Sequence, residues 1–599
     1  MGLLQRLAVG RLHARLPEGV RIAIAVAALV LGVVIVIRPT TALAVLAWLI
    51  GGGMVLTGVL ELTGRADDET ERPRWRTVTG VAWLLGGIAV LLTPGLTVRV
   101  LATLVGILLL AGGVLGLVAV FRRGRTVDAR IADAAFGISG VIFGALALFW
   151  PDITLLVVAV VFGARLIMSG VTDLWTRLRR RGDDRAAARE GTDGRPRRRW
   201  GRTVMAVASV ALAVTTALVT VPLREGSTVV DDFYAAPRDM PDEPGRLVRA
   251  EPFTNGIPTT ANAWRILYTT TGIDGDVRVA SGIVAVPKEG DGQWPVIDWN
   301  HGTTGYAEHC APSLQPRGMW SGAMYILPTL ISEGWAVVAT DYIGLGTEGP
   351  HPYLIGPPSA HASLDAVRAA RELTDADVGA RTVVWGHSQG GGAALWTGGI
   401  ARDYAPDVWV QGVAALAPAS DPATLVREIT GVTGGAIFAS YAFASFSEIY
   451  DDIGYGDYVR PGAETILRQM SERCLSDPAI IVSVAATLGM SGDPRLFTGS
   501  PAAGDLGRHL RENTAPLRQT APLLLAQGGA DSIISVGAQS DFVDRMCAAG
   551  QDVDFRIYDG YEHAAVVERP SPLLTELVEW TRDRFAGVPV AEGCETTRQ

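Results

Sequence analysis

The fold of the C-terminal half is decided by residues 381–396, which read RTVVWGHSQGGGAALW. The β-branched run at the start of this stretch predicts a strand, and the alanines and leucine at its end predict a helix. Between them stands Ser388, with one glycine two residues before it and another two residues after it. A nucleophilic serine on a strand-to-helix turn needs such small neighbours because the turn is tight. The stretch therefore predicts a nucleophile turn; the alternative is a glycine-rich start of a helix.

The segments on both sides of this turn alternate between strand-like and helix-like patterns. Before it, the strand patterns are VRVASGIVAV, WPVIDWN and GWAVVATDY, and HASLDAVRAARELT has the spacing of a helix. After it, the strand patterns are VQGVAALAP, APLLLAQGGAD and DVDFRIYDG. Such alternation is typical of a doubly wound α/β domain. It stops between about 420 and 515, so we expect an inserted cap there, over the carboxyl edge of the sheet.

A serine hydroxyl becomes a nucleophile when an imidazole takes its proton and an acid holds that imidazole. In folds with this turn the three groups follow in the order serine, acid, histidine. Of the eight histidines, His563 is the one that follows a late strand outside the expected cap, so it is the candidate base. Asp531 ends the preceding strand and is the candidate acid. Asp554 and Asp559 are nearer in the chain, but one lies within the next strand and the other in its turn.

Acyl transfer also needs hydrogen-bond donors for the negative charge that develops on the substrate oxygen. One donor is the backbone N–H of the residue after the nucleophile, here Gln389. The second is expected in the loop after an early strand, where HGTTG at 301–305 fits. There Gly302 opens the turn, and the backbone N–H of Thr303 is the expected donor. The hydroxyl of Thr303 or Thr304 could be a further donor. A plain tight turn is the alternative.

The chain from about 231 to 585 resembles the secretory lipase family of α/β-hydrolases, of the yeast lipase A type. The matching stretches are DDFYAAPRDMPDEPGRLVRAEPF, HGTTGYAEHCAPS, ATDYIGLGTEGPHPYL, GHSQGGGAALW and QGGADSIISV. The resemblance implies an extracellular serine ester hydrolase that acts on acylglycerols, with a cap between the strand after the nucleophile and the acid-bearing strand. It implies the same three triad residues. The family's oxyanion loop falls on 302–304, where some relatives have an acidic residue and this chain has Thr303.

The first 222 residues are more apolar and more basic than the rest of the chain. The whole chain is 48% hydrophobic and 19% charged, which is more apolar than is usual for a soluble protein. Residues 1–222 contain 26 Arg and Lys against 14 Asp and Glu, whereas the remaining 377 contain 26 against 47. The arginines fall between apolar runs, as they do at membrane flanks. This pattern argues against a nucleic-acid partner.

Seven stretches of this front part are long and apolar enough to cross a bilayer, which needs about 20 residues per helix. We predict spans at 20–37, 41–63, 77–93, 97–121, 131–149, 153–174 and 203–222. The first six repeat as three helix hairpins, each turning at a proline. A glycine follows nineteen residues after each of these prolines, in the pairs Pro39 and Gly58, Pro94 and Gly113, and Pro151 and Gly170. The repeat resembles the HdeD-like family of small multi-pass membrane proteins, over about residues 20–175.

Arginine placement predicts the orientation of these spans. Arginine clusters precede the first span and fill alternate loops, whereas the other loops are short turns with almost no arginine. By the positive-inside rule the N-terminus is therefore cytoplasmic. We predict four parts: a membrane domain at 1–175, a basic cytoplasmic linker at 176–202, a seventh transmembrane helix at 203–222 and an extracytoplasmic hydrolase domain at 223–599.

All four cysteines fall in the domain that we expect outside the cell, where thiols oxidise. An even number favours disulfides, and three pairings are possible. We favour Cys310–Cys474, between the oxyanion-side loop and the cap, and Cys547–Cys594, which would hold the C-terminal tail. No cysteine or histidine cluster has metal-ligand spacing, and no phosphate-cradling loop is present, so we expect neither a metal nor a cofactor.

These features predict a multi-domain protein, in which an all-α transmembrane bundle is followed by an α/β-hydrolase domain with a cap. We expect a membrane-tethered serine ester hydrolase, a lipase or carboxylesterase, whose partners are a lipid or other ester substrate and the lipid bilayer. One alternative is a peptidase or acyltransferase on the same scaffold. Another is a membrane transport or stress-response protein whose outer domain binds a ligand. The sequence predicts neither the oligomeric state nor the preferred acyl chain.

Overall fold

The computed structural model describes residues 18–63, 74–121, 127–183, 208, 210–218, 229–321, 324–432, 434–490 and 496–599. The chain divides into two compact units. The first comprises residues 1–222 with 459–469 and 485–498, and the second comprises 223–458, 470–484 and 499–599. Long helices form most of the first unit, and a β-sheet with helices on both faces forms the second.

Six long helices are described in the first unit. They are α1 (Glu18–Ile37), α2 (Pro39–Thr63), α3 (Arg74–Leu92), α4 (Pro94–Ala119), α5 (Val127–Phe149) and α6 (Pro151–Asp183). The proline of each predicted repeat is the first residue of a helix, at Pro39, Pro94 and Pro151. Its missing N–H costs nothing there, because the first N–H groups of a helix have no intrahelical acceptor. The predicted turns therefore lie directly before these three prolines.

Helix α6 runs past the predicted end of the membrane domain. It ends at Asp183, whereas the sequence analysis ends the domain at 175 and begins the linker at 176. The Leu and Arg of this basic stretch favour helix, and a transmembrane helix can continue beyond the bilayer, so the boundary at 175 stays a prediction. The rest of the linker lies outside the described residues. Of the predicted seventh span, the structure describes residues 208 and 210–218, which are helical.

Among the described residues, two helical stretches are long and apolar enough to cross a membrane, Val100–Ala119 and Pro151–Thr172. Shorter apolar stretches in this unit occur at Ala25–Ile37, Thr77–Leu92 and Asp133–Phe149. In α4, Leu108 is 69% exposed and Leu115 is 67% exposed. Such apolar surface marks a membrane or protein contact. The count of seven spans stays a prediction.

The repeat glycines lie at helix–helix contacts. Helix α2 packs on α3, α4 on α5, and α1 on α6, so the close pairs are not the helices that the prolines join. A Cβ atom at Gly58 would lie 2.6 Å from the backbone nitrogen of Leu84 in α3. At Gly113 and Gly170 the nearest backbone atom of the partner helix would lie 2.6 Å and 2.7 Å away. Side chains cannot come this close to a backbone, so each contact requires glycine.

We expect Gly113→Val to destabilise the helical unit and Gly112→Val to leave it almost unchanged. Gly113 is buried against α5, whereas a Cβ atom at Gly112 would have no atom within 4 Å. Overpacking a tight contact costs about 1–3 kcal/mol, so the thermal midpoint of the full chain in detergent should fall for Gly113→Val alone. Equal midpoints for the two variants would show that the helices are not in tight contact there.

A ten-stranded sheet forms the centre of the second unit. Its strands are β1 (Leu247–Pro252), β2 (Ala261–Thr271), β3 (Val277–Pro287), β4 (Trp294–Asn300), β5 (Ala336–Tyr342), β6 (Val378–His387), β7 (Trp409–Leu416), β8 (Leu523–Gly528), β9 (Val553–Tyr558) and β10 (Cys594–Arg598). Their order is β1-β2-β3-β5-β4-β6-β7-β8-β9-β10. The pairs β1·β2, β2·β3 and β3·β5 are antiparallel. All the other neighbouring pairs, from β5·β4 to β9·β10, are parallel. The carboxyl ends of β4, β6, β7, β8 and β9 therefore share one edge.

Helices cover both faces of this sheet and fill the insertion after β7. They are α7 (Gly318–Ser321), α8 (Leu327–Ser332), α9 (Gly356–Glu372), α10 (Gln389–Tyr404), α11 (Pro422–Ile429), α12 (Gly435–Ile449), α13 (Tyr455–Tyr458), α14 (Pro461–Ser471), α15 (Ile480–Gly489), α16 (Gly504–Glu512), α17 (Val536–Ala548) and α18 (Leu573–Ala586). Val337 of β5 packs in a core with α8 and α18, and Val338 packs in another with α9. Successive strand residues point to opposite faces. The sheet is thus covered on both sides, as in a doubly wound domain.

The insertion between β7 and β8 is helical and occupies the predicted place of the cap. Helices α11 to α16 lie within residues 422–512. Helix α12, which carries the apolar and aromatic run GAIFASYAFASFSEI, is buried along most of its length. Its apolar sequence is therefore explained by packing inside the domain.

Both expected disulfides form. Cys310–Cys474 joins the loop after β4 to the cap, and Cys547–Cys594 joins α17 to β10. Strand β10 was not predicted, because CETTR is short and polar. It pairs in parallel with β9, and its first residue is the disulfide cysteine Cys594. The bond and the strand together hold the C-terminal tail against the sheet.

Candidate active site

Ser388 lies between β6 and α10, at the turn that the sequence predicts. Its φ and ψ are 58° and −119°, a conformation that costs a residue with a side chain about 1–3 kcal/mol. Its N–H donates to the carbonyl of Leu416 at 2.9 Å, and its carbonyl accepts from the N–H groups of Gly392 at 3.2 Å and Ala419 at 2.9 Å. The strained turn is therefore held by the end of β7 as well as by α10.

Close backbone contacts require the glycines of this turn. A Cβ atom at Gly386 would overlap the carbonyl of Gly390, and one at Gly390 would overlap the carbonyl of Asn300 at the end of β4. At Gly391 it would lie 2.7 Å from the loop after β7. The glycine pattern therefore serves the tight turn itself and not only the start of the helix after Ser388.

The structure brings Ser388, His563 and Asp531 together. Nε2 of His563 lies 2.8 Å from Oγ of Ser388, and its Nδ1 lies 2.7 Å from Oδ2 of Asp531. The three residues follow the carboxyl ends of β6, β9 and β8, which share one edge of the sheet. When Nδ1 donates its proton to the carboxylate, Nε2 keeps a lone pair for the serine proton. This arrangement can activate the serine hydroxyl for attack on a carbonyl carbon.

The two other acidic candidates have different partners. Asp554 accepts hydrogen bonds of 3.0 Å and 2.6 Å from Arg556, and Asp559 accepts one of 2.8 Å from Arg598. The carboxylate that contacts His563 is that of Asp531.

Asp531 is buried and accepts hydrogen bonds on both oxygens. Its Oδ1 accepts from the N–H groups of Ile533 at 2.9 Å and Ile534 at 2.8 Å, and its Oδ2 accepts from the Gln527 amide at 2.8 Å. Burial acts to raise the pKa of this carboxyl, but the hydrogen bond and charge of His563 and the two N–H groups outweigh it and hold the pKa below its usual value. Asp531 is therefore ionised, as an acid that stabilises an imidazolium must be.

The predicted oxyanion loop borders the nucleophile. Strand β4 pairs in parallel with β6, so the loop at 301–305 leaves the sheet beside the turn. A Cβ atom at Gly302 would lie 3.6 Å from the Cβ of Ser388. Gln389 is the first residue of α10, where helix N–H groups have no intrahelical acceptor. The segments that carry the predicted N–H donors, Thr303 and Gln389, therefore both lie next to Ser388.

The two threonine hydroxyls of this loop have different surroundings. Thr303 is half-buried, and its Oγ1 lies 2.9 Å from the phenol oxygen of Tyr353. Thr304 is 1% exposed, and its hydroxyl has no hydrogen-bond partner within the described part of the chain. Its carbonyl accepts from the N–H of Leu475 at 2.8 Å, which attaches the loop to the cap. The hydroxyl of Thr303 is thus the accessible one.

The side chain of Gln389 is held by a buried histidine that sequence reasoning missed. Its Nε2 lies 3.0 Å from Nε2 of His351, whose Nδ1 lies 3.0 Å from the carbonyl of Ile343. Burial lowers the pKa of His351 to about 3, so the ring is neutral. It donates from Nδ1 and accepts the Gln389 amide at Nε2. This contact fixes the residue whose N–H is the predicted oxyanion donor.

Sequence reasoning also missed the role of His387, the last residue of β6. Its Nε2 lies 3.0 Å from the backbone carbonyl of His563, and the two ring centroids are 4.9 Å apart. Burial, and then the neighbouring His563, lower the pKa of His387 to about 3. The neutral ring donates its N–H to that carbonyl and so holds the backbone of the candidate base. The position of His387 directly before Ser388 in the sequence was the signal that could have indicated this role.

We expect His387→Phe to lower kcat for ester hydrolysis about tenfold with little change in KM. The variant keeps a ring but loses a hydrogen bond of about 1–1.5 kcal/mol, and each 1.4 kcal/mol is about a factor of ten in rate. The control is His361→Phe, because Nδ1 of His361 also contacts a backbone carbonyl, that of Thr271, at 3.2 Å. Equal losses of kcat in both variants would indicate a general loss of stability.

One group of possible metal ligands lies close together among the described residues, His309, Cys310 and Cys474. Both sulfur atoms belong to the disulfide, and zinc binds cysteine as the thiolate. The group therefore does not fit a metal ion.

Comparison with known families matches both parts of the chain. Residues 321–593 match the family model described as "Secretory lipase", and this range contains all three triad residues. Residues 23–85, 78–148 and 135–189 each match "Short repeat of unknown function (DUF308)", which is the HdeD-like membrane family. The chain thus matches the models of both families that its sequence resembles, the second in three segments.

Several known relatives of the C-terminal part are lipases. Secreted triacylglycerol lipase LIP7 of Malassezia globosa is 26% identical over 403 residues, 62% of this chain and 82% of the relative. Lipase 1 of Candida albicans is 24% identical over 421 residues, 65% of this chain and 87% of the relative. A Mycobacterium tuberculosis protein named "Probable inactive lipase" is 25% identical over 382 residues, 60% of this chain and 83% of the relative.

The crystal structure of Candida antarctica lipase A has a TM-score of 0.50 and 19% identity to this chain, and covers 61% of this chain and 88% of its own. The C-terminal part therefore has the fold of that lipase. With the family match and the lipase relatives, the chain is a carboxylic ester hydrolase.

Proposed function

We propose that the chain is a membrane-tethered serine lipase or carboxylesterase, which hydrolyses lipid esters through an acyl-enzyme on Ser388. The observation that carries this proposal is the unbroken hydrogen-bond chain from Ser388 through His563 to Asp531. Triacylglycerol lipases among the relatives support a lipid ester as substrate. A relative named as inactive makes the intact triad of this chain the feature to test.

The proposed reaction has two halves. Nε2 of His563 takes the proton of Ser388 as Oγ bonds to the ester carbonyl carbon. The carbonyl oxygen becomes an oxyanion that accepts from the N–H groups of Gln389 and Thr303. The ester C–O bond then breaks, and His563 gives its proton to the leaving alcohol. In the second half, His563 takes a proton from water as the water oxygen bonds to the acyl carbon. The bond to Oγ of Ser388 then breaks, His563 returns the proton to Oγ, and the carboxylic acid is released.

The full chain in detergent tests this activity on p-nitrophenyl esters of increasing acyl length and on emulsified triacylglycerol. We expect ester hydrolysis, and covalent labelling by a fluorophosphonate that is lost in Ser388→Ala. Cleavage of a peptide anilide without ester hydrolysis would instead identify a peptidase. Transfer of the acyl group to an added alcohol in preference to water would identify an acyltransferase.

The membrane part of the proposal is supported by the three DUF308 matches, the apolar helices and the arginine clusters. With the N-terminus in the cytoplasm, an odd number of spans puts the hydrolase domain outside the cell, tethered to the membrane. There the lipid bilayer is both anchor and source of substrate.

A phosphatase that is active only outside the cytoplasm tests this topology when it is fused after Arg224. We expect an active fusion there and an inactive fusion after Arg125, in a predicted cytoplasmic loop. An inactive fusion after Arg224 would put the hydrolase domain in the cytoplasm.

A further inference from the structure

Tyr353 and Thr303 form a hydroxyl pair beside the nucleophile. Their oxygens are 2.9 Å apart. Tyr353 is 3% exposed, in the segment before α9. Its ring packs edge to face on that of Tyr441 in α12, with ring centroids 6.0 Å apart, and its centroid lies 6.2 Å from that of the His351 ring. Packing on two sides therefore fixes the phenol, while Thr303 is only half-buried.

The direction of the hydrogen bond follows from burial. A buried hydroxyl proton without an acceptor is unfavourable, and Oγ1 of Thr303 is the acceptor that the structure shows for Tyr353. Burial also raises the pKa of Tyr353 above its usual range, so the phenol keeps its proton. Tyr353 is thus the donor. A threonine hydroxyl can accept one hydrogen bond and still donate another, so Thr303 keeps its own proton for a further acceptor.

The substrate oxyanion is the acceptor that this position suggests. Thr303 follows Gly302, whose added Cβ would lie 3.6 Å from the Cβ of Ser388. Its backbone N–H is already a candidate oxyanion donor. The hydroxyl of Thr304 does not compete for this role, because its side chain is almost fully buried.

We propose that the Thr303 hydroxyl is a third donor to the oxyanion and that Tyr353 is the positioning residue that turns its proton toward it; this inference rests on the proposed ester hydrolysis. No proton is transferred in this role. The hydrogen bond strengthens as negative charge develops on the substrate oxygen, so it lowers the barrier without tightening substrate binding. Polarisation of Thr303 by the Tyr353 phenol adds to this effect.

The test measures kcat and KM of the full chain on one p-nitrophenyl ester. A principal oxyanion donor is worth about 10²–10³ in kcat. For this auxiliary donor we expect Thr303→Val to lower kcat roughly 10–100-fold with KM unchanged, and Thr303→Ser to stay within about threefold of wild type. Tyr353→Phe should lower kcat about tenfold, because the hydroxyl of Thr303 loses its orientation.

The double variant Thr303→Val/Tyr353→Phe distinguishes a positioning role of Tyr353 from a general loss of folded structure. If Tyr353 acts through Thr303, Tyr353→Phe should add almost nothing in the Thr303→Val background. Thr465→Val in α14 is the matched comparison and should keep kcat within about twofold, because the buried hydroxyl that it removes has no partner in the described chain. Independent losses in the double variant, or wild-type kcat in Thr303→Val, would overturn the inference. Wild-type protein without ester hydrolysis or fluorophosphonate labelling would instead overturn the proposed function.

Discussion

Ser388→Ala is expected to lower kcat for ester hydrolysis by about 10⁶-fold and to leave the fold intact. Alanine removes the only atom of residue 388 that can bond to the carbonyl carbon, so no acyl-enzyme forms. The strained φ of 58° is equally unfavourable for alanine and serine, because both carry a Cβ. The backbone bonds to Leu416, Gly392 and Ala419 do not involve the side chain. The thermal midpoint should therefore stay within a degree or two of wild type.

Loss of activity in this variant must be separated from loss of protein. Fluorophosphonate labelling should disappear, while the circular dichroism spectrum and thermal midpoint stay those of wild type. Ser332→Ala is the control, since that hydroxyl is exposed and donates to the carbonyl of Thr329 at 2.7 Å. More than about 1% of wild-type kcat in Ser388→Ala would show that another residue is the nucleophile.

Asp531→Asn is expected to lower kcat about 10⁴-fold. Oδ1 of Asp531 accepts from two backbone N–H groups, so an asparagine would place its oxygen there and its NH₂ at the other position. That NH₂ would face Nδ1 of His563 and the donating amide of Gln527. The imidazole then loses its acceptor at Nδ1, and the tautomer with a proton on Nε2 cannot accept from Ser388.

The same substitution should reduce stability in a pH-dependent way. The folded-state pKa of Asp531 is below its unfolded value, so its charge stabilises the fold above the unfolded pKa of about 3.9 and this contribution disappears as the pH falls through the folded pKa. The difference in thermal midpoint between wild type and Asp531→Asn should therefore be largest near pH 7 and shrink below about pH 4.

Asp559→Asn is the matched control, because it removes a carboxylate that binds Arg598 at the surface. Asp559 was also a candidate acid by its distance along the chain. Wild-type kcat in this variant, beside the large loss in Asp531→Asn, would assign the acid to Asp531. Similar kcat values for the two variants would contradict this assignment.

The contacts of the site that could be predicted were those set by chain order and strand edges. Ser388, Asp531 and His563 follow the parallel strands β6, β8 and β9, so their order in the chain and the small number of histidines were enough to select them. The contacts that could not be predicted join segments with no pattern in common. His387 is bonded to the backbone of His563, 176 residues away, and Tyr353 is bonded to Thr303 across 50 residues.

In the helical unit the sequence period predicted equivalent positions in the three repeats but not which helices contact each other there. The prolines and glycines recur every 55 to 57 residues, which marks equivalent positions. A small residue permits close approach without specifying which helix will approach. The structure pairs Gly170 of α6 with α1, although the two helices are far apart in the chain. Strand β10 could not be predicted for a related reason. Its position depends on contacts with distant segments, namely its pairing with β9 and the Cys547–Cys594 bond.

The Cys310–Cys474 bond limits how the cap can move. The chain leaves the sheet after β7 and returns at β8, and these strands are neighbours, so the cap is attached along one side as if by a hinge. A rigid rotation of the cap about that hinge would carry Cys474 away from Cys310. The disulfide joins the cap to the loop after β4, two strands away from the hinge in the sheet order, and so blocks this rotation. Any opening of the cap while this bond is intact must therefore take place by rearrangement within the cap, and reduction of the bond would remove this restraint.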